Sequence, residues 1–129
     1  MADPSDAEFD VLKLFWRDGP LNAREVHERI GPQLGWAPST IRTVLERMCA
    51  KGLLERAERG GVAVFTASES KVDVVGRALT KFARKVMEID GPLSAQAFTG
   101  SQLLTPEEIA ELQAVLDADA ATPAEEDPS

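Results

Sequence analysis

The chain has 129 residues, 43% hydrophobic and 28% charged, with one cysteine, one histidine and a formal net charge of −8. That length holds one compact domain, or one small domain with an appended element. One Cys and one His allow no internal disulfide and no zinc or copper site built from those residues. There is no charged start followed by an apolar run, and no stretch approaches the roughly 20 apolar residues of a membrane helix. A soluble, cytoplasmic chain without membrane insertion is therefore expected.

The net charge speaks against an anionic partner, and its distribution speaks for one. Residues 1–12 hold four acids and no base, residues 13–87 hold 14 bases and 8 acids, and residues 88–129 hold ten acids and no base. A basic middle lies between two acidic ends, and local charge decides where an anion docks.

In chain order, Ser5 and Glu8 of "SDAEFDVLKLFW" make a capping box, and Phe9, Leu12 and Phe15 with Trp16 share one face. This predicts a first helix, which "RDGP" breaks. Leu21 reads as a short bridging residue. Asn22 and Glu25 repeat the capping box ahead of "AREVHERI", a second helix with Val26 and Ile30 inward and His27 on the solvated side. Gly31, Pro32 and Gly35 predict a turn, and Pro38 suits the first position of a third helix.

That third helix, "TIRTVLERMCAKGLL" with the two residues before it, has two unlike faces. Ile41, Val44, Leu45, Met48 and Cys49 recur at i, i+3, i+4, i+7 and i+8, a core-facing arc on which Cys49 reads as a packing residue. Ser39, Thr43, Glu46 and Ala50 centre the other arc, with Arg42 on one shoulder and Thr40, Arg47 and Lys51 on the other. Gly52 can close the helix in a left-handed conformation.

Beyond Gly52 the pattern becomes extended: "LLERAER" and "VAVFTAS" flank Gly60-Gly61, a two-residue hairpin signal. Three helices and a hairpin form the order of a winged helix-turn-helix, whose third helix enters the major groove while the hairpin touches the flanking backbone. Arg56 and Arg59 stand near the hairpin tip for that contact. From Lys71 a long helix carries Val72, Val75, Leu79, Phe82 and Val86 at spacings of 3, 4, 3 and 4. Such a seam suits the same helix of a second subunit or, alternatively, the chain's own domain. "GPLSAQAFTGSQL" predicts a short helix. Thr105 and Glu108 cap a last one bearing Ile109, Leu112, Val115 and Leu116, which can close the same interface. The ending "DADAATPAEEDPS" is acidic, rich in Ala and Pro, and aperiodic, so it is expected to be disordered.

The fold expected is mainly α with a small β-hairpin wing: a winged-helix DNA-binding domain over 1–69, a helical dimerisation domain over 70–118 and a disordered acidic tail over 119–129. With these elements placed, the chain resembles the penicillinase-repressor family of homodimeric bacterial transcriptional repressors. The resemblance runs from about Ser5 to Ala118 and is carried by "AEFDVLKLFW", "TIRTVLERMCAKGLLERAERGG" and "LTPEEIAELQAVL". It implies that Ser39, Thr40, Arg42, Thr43 and Arg47 face the DNA groove and that the C-terminal helices interlock two subunits. It also implies a sensor protease as partner. Family members released that way are cut between asparagine and phenylalanine, and the matching position here is Ala97-Phe98, with alanine in place of the asparagine. Related copper-responsive repressors carry paired Cys-x-Cys motifs near the C-terminus, whereas this chain has no cysteine after Cys49.

The leading function is thus a repressor that binds a palindromic double-stranded DNA operator as a homodimer and regulates resistance or stress genes. Its DNA contacts are Ser39, Thr40, Arg42, Thr43, Arg47, Lys51, Arg56 and Arg59, and its dimer contacts are Val72, Val75, Leu79, Phe82, Val86, Ile109, Leu112 and Leu116. Arg42 and Arg47 suit either guanine or phosphate, and Glu46 either accepts from cytosine or repels phosphate, with a structural pairing to Arg42 or Arg47 favoured. A protein-interaction module on the same fold is the second reading, separated from the first by whether DNA binding is sequence-specific. An enzyme is not expected, since no phosphate loop or nucleophile–base set is present, and no cofactor or metal is called for.

Overall fold

Ser5 opens the first helix by exchanging two hydrogen bonds: its Oγ accepts from the Glu8 N–H at 3.2 Å, and its own N–H donates to Glu8 Oε1 at 2.9 Å. The computed structural model, which describes residues 3–121, places α1 at Asp6–Asp18 with Val11, Leu12, Leu14 and Phe15 buried. Phe9 and Trp16 meet edge to face at 5.7 Å. The Trp16 indole N–H donates to the Glu69 carbonyl at 3.0 Å, fastening α1 to the segment that follows the last strand.

The pair Leu21–Asn22 forms strand β1, and Asn22 at once caps α2, Ala23–Leu34, through the second capping box with Glu25. The turn expected at Gly31-Pro32 is not there, because α2 runs through both residues and ends at left-handed Gly35. Pro32 lies so near the helix end that its missing N–H deprives a single carbonyl, that of exposed Glu28, which water can reach. His27 is half-buried rather than solvated. Its ring lies over Gly31, one helical turn on, where a Cβ would fall 2.5 Å from Cδ2.

Helix α3, Pro38–Ala50, begins with proline at a first-turn position and buries Ile41, Leu45 and Met48, with Val44 and Cys49 half-buried beside them. Its end is a double closure: the Gly52 N–H donates to the Cys49 carbonyl at 3.0 Å and the Leu53 N–H to the Met48 carbonyl at 2.9 Å. Gly52 sits at φ +81°, where a side chain would be strained.

Strands β2 (Leu54–Arg59) and β3 (Val62–Ala67) pair antiparallel from Leu54↔Ala67 to Arg59↔Val62. Gly60 and Gly61 turn the hairpin with positive φ at both central residues, the geometry whose twist matches that of the strands. The sheet has three strands in the order β1-β3-β2, since Leu21 pairs with Phe65 and Asn22 with Val64. Sequence pattern had made Leu21 only a bridging residue. Two residues are too few to show alternation, so only the partner strand reveals this one. Leu21, Leu54 and Phe65 are buried, and β2 beyond Leu54 is exposed on both faces, as befits a wing.

Two compact units divide the chain, Met1–Ser70 and Lys71–Ser129. In the second, α4 (Lys71–Lys85) packs on α5 (Pro106–Ala121), with a single 3-10 turn at Ala95–Phe98 between them in sequence. Gly76 permits the close approach of the two helices: a Cβ there would stand 3.1 Å from Leu112 Cδ1. Thr105 and Glu108 form the expected capping box. The Lys71 ammonium joins that carboxylate at 3.0 Å and donates to the Leu103 carbonyl at 2.8 Å. Burial works to raise the Glu108 pKa, but the Thr105 N–H and Lys71 outweigh it and hold the carboxyl below its ordinary value. Helix α5 continues to Ala121, so the tail expected over 119–129 does not begin at 119; residues 122–129 lie outside the described part.

Candidate nucleic-acid interface

The outer arc of α3 exposes Ser39, Thr40, Arg42, Thr43, Glu46, Arg47 and Ala50, as its period requires. The Thr43 hydroxyl donates to the Ser39 carbonyl at 3.1 Å, which leaves its oxygen lone pairs facing outward as acceptors. Strand alternation separates the two wing arginines: Arg56 stands opposite Phe65 and Arg59, three residues on, opposite Val62, on the other face of β2.

Ion pairing sorts the cations of the first unit into two groups. Lys13 pairs with Asp10, Arg17 and Arg29 with Asp18, and Lys51 with Glu8. The other five, Arg24, Arg42, Arg47, Arg56 and Arg59, are exposed and have no ion pair or hydrogen bond among the described residues. All five belong to the start of α2, to α3 or to the wing.

Two expectations change. Lys51 was read as a DNA contact, but its ammonium is held by the Glu8 carboxylate of α1, with side-chain exposures of 29% and 7%. Burial works to raise the Glu8 pKa, but Lys51 and the Ser5 N–H prevail and keep the carboxyl below its ordinary value. Of the alternatives for Glu46, the pairing with Arg42 or Arg47 is not present: it forms no ion pair with either among the described residues.

The start of α2, α3 and the wing surround an open cleft of about 550 Å³, lined among others by Arg24, Arg42, Glu46, Arg56, Val62 and Phe65. Arg24 had no signal in the sequence. It is the second residue of an ordinary helix, and only the packing of α2 on α3 brings it beside Arg42. Burial pushes the thiol of half-buried Cys49 up, against the pull of Arg56, which leaves it a poor nucleophile. Among the described residues no group of three or more His, Cys, Asp and Glu side chains is placed to hold a metal ion. No helix among them is long and apolar enough to cross a membrane.

The family model of the penicillinase repressor matches residues 4–118. The chain belongs to the penicillinase repressor family. It is 31% identical over 115 residues to the penicillinase repressor of Bacillus licheniformis, with 88% of each chain covered. It is 27% identical over 112 residues to the methicillin resistance regulatory protein MecI of Staphylococcus aureus (strain N315), with 87% of this chain and 91% of that one covered. A solution structure of the DNA binding domain of the repressor BlaI superposes with a TM-score of 0.47 at 36% identity, covering 51% of this chain and 80% of that one.

In this member of the penicillinase repressor family the seam residues fall into two sets. Val72, Val75, Leu112 and Leu116 are buried already in the single chain. Leu79 and Ile109 are half-buried, and Phe82 (53%) and Val86 (63%) are exposed. Val86 and Met87 lie in the turn just after α4, and Met87, 56% exposed, falls off the 3-4 spacing. Ala97 and Phe98 lie in the 3-10 turn, Ala97 exposed and Phe98 half-buried.

Proposed function

We propose that this member of the penicillinase repressor family is a DNA-binding transcriptional repressor. It acts as a homodimer that sets two copies of α3 into successive major grooves of a palindromic operator. The observation that carries this reading is the sorting of cations: every base of the first unit that is left unpaired among the described residues belongs to the start of α2, to α3 or to the wing. Exposed guanidiniums without a protein partner suit phosphate oxygens, whose neutralisation releases counterions. Ser39, Thr43 and Glu46 on the centre of the arc suit base edges.

The second subunit is supported by Phe82 in the last turn of α4 and by Val86 and Met87 just after it, large apolar side chains that are each exposed. Repression by such a dimer needs no chemistry on DNA, only occupancy of the operator. Release by a sensor protease at Ala97–Phe98 belongs to the same proposal. That cut would remove α5, and with it the Leu112 and Leu116 side chains that are buried in the intact chain.

Fluorescence anisotropy against DNA from upstream of the gene, and against the same bases shuffled, tests the function. Specific binding should be tighter by about a thousandfold or more at moderate salt. Equally weak binding to both would leave a protein-docking module as the better reading. Sedimentation at micromolar concentration tests the dimer, and mass spectrometry of the intact chain after induction tests the cut.

A further inference from the structure

The two shoulders of α3 are not equivalent. Arg42 and Arg47 are five residues apart, about 140° around the helix at 100° per residue. Arg42 lines the cleft beside the wing together with Arg24 and Arg56, whereas Arg47 is not among the cleft residues. From this asymmetry we infer that Arg24, Arg42 and Arg56 together hold one stretch of the DNA sugar-phosphate backbone. Arg24 is then a DNA-contacting residue, and Arg42 contacts phosphate rather than a base. The inference rests on the repressor reading and divides its labour.

Three features favour a backbone segment as occupant. The guanidiniums come from three elements, α2, α3 and β2, and none has a protein partner among the described residues, so their hydrogen-bond donors are free. The cleft is open and edged by Val62, Ala63 and Phe65, apolar groups suited to the faces of a sugar between phosphates. It also lies at the start of α2, where the positive end of the helix dipole adds to the three cations. Among the described residues Glu46 is the one carboxylate lining the cleft, and it would oppose an anion on its side. The phosphate is therefore expected nearer to Arg24 and Arg56.

The test is the salt dependence of DNA binding for the full chain and for Arg24→Ala, which alters an exposed side chain and should leave the melting temperature unchanged. Each phosphate contact contributes about 0.9 to the slope of log K against log salt, so the dimer should lose about 2. Affinity should fall about tenfold or more on operator and shuffled DNA alike. Arg24→Lys should recover most of the slope, because charge rather than fork geometry neutralises phosphate. Arg42→Ala should behave as Arg24→Ala does.

Unchanged slope and affinity in Arg24→Ala, with a normal salt dependence in the parent protein, would overturn this inference while sparing the repressor reading. A parent protein without salt dependence would overturn both. Loss confined to the operator in Arg42→Ala would make Arg42 a base reader. Saturable binding of inorganic phosphate to the DNA-free protein, abolished by Arg24→Ala while DNA affinity stays unchanged, would assign the cleft to a free anion instead.

Discussion

Breaking the Glu8–Lys51 pair should separate a structural cation from those proposed to face DNA. The Glu8 carboxylate carries two loads: it accepts the Ser5 N–H that completes the cap of α1 and meets the Lys51 ammonium at the end of α3. With side chains 7% and 29% exposed, the pair lies between the surface case, about 0.2–1 kcal/mol, and the broken buried case, about 3–5 kcal/mol. A coupling of about 1–2 kcal/mol is therefore expected from the cycle Glu8→Gln, Lys51→Met and the double variant, read by urea unfolding. The folded pKa of Glu8 lies below its ordinary value of 4.5. Its contribution is accordingly complete above about pH 4.5 and is lost as pH falls through the folded value, so the coupling should shrink in acid. Lys51→Met should leave the salt slope of DNA binding unchanged. A coupling under about 0.5 kcal/mol, or a slope that drops by about 2 in Lys51→Met, would refute the assignment.

Four further outcomes follow from the same geometry. Leu112→Ala removes a fully buried side chain that closes on Gly76, and should cost about 2–5 kcal/mol by denaturant unfolding. Phe82→Asp with Val86→Asp changes exposed positions, so the chain should stay folded by circular dichroism yet sediment as a monomer and bind operator far more weakly. Gly61→Val puts a β-branched residue at φ +80°, should destabilise the wing by about 1–2 kcal/mol, and should be visible as faster amide exchange in β2 and β3. Log K for operator should fall against log salt with a slope of about −7 if Arg42, Arg47, Arg56 and Arg59 of two subunits each meet a phosphate, and about −9 with Arg24 included; isothermal titration across a salt series measures it.

What could be read from the sequence was whatever short-range rules decide. Three capping boxes, at Ser5, Asn22 and Thr105, set helix starts because both partners lie within one turn of chain. The apolar arc of α3 and the Gly60-Gly61 turn are likewise local patterns, and the structure has both. The errors came where distant residues decide. Leu21–Asn22 is a strand only because Phe65 and Val64 pair with it. The continuation of α2 through Pro32 is the local exception, since the missing bond falls at an exposed helix end. Val72, Val75, Leu112 and Leu116 have the spacing of an interface, yet are buried in the single chain. Period tells which residues share a face, and not what covers it.

The same limit governs charge. Between residues 13 and 87 the sequence shows 14 bases and 8 acids mixed along the chain, and nothing local tells a cation that holds the fold together from one that is free. Glu55 adjoins Arg56 and Glu58 adjoins Arg59 in sequence, and neither adjacent couple forms an ion pair among the described residues, because neighbours on a strand point to opposite faces. Glu8 stands 43 residues from Lys51 and pairs with it, since α1 brings the carboxylate to the end of α3. Asp18, at the close of α1, in the same way engages Arg29 across eleven residues of chain. Each of these long-range pairs withdraws a base from the general surface. Within the first unit, the bases left without an ion pair among the described residues are then those of the start of α2, α3 and the wing. An acidic protein thereby presents a cationic face, and its net charge of −8 bears on solubility and not on what that face attracts.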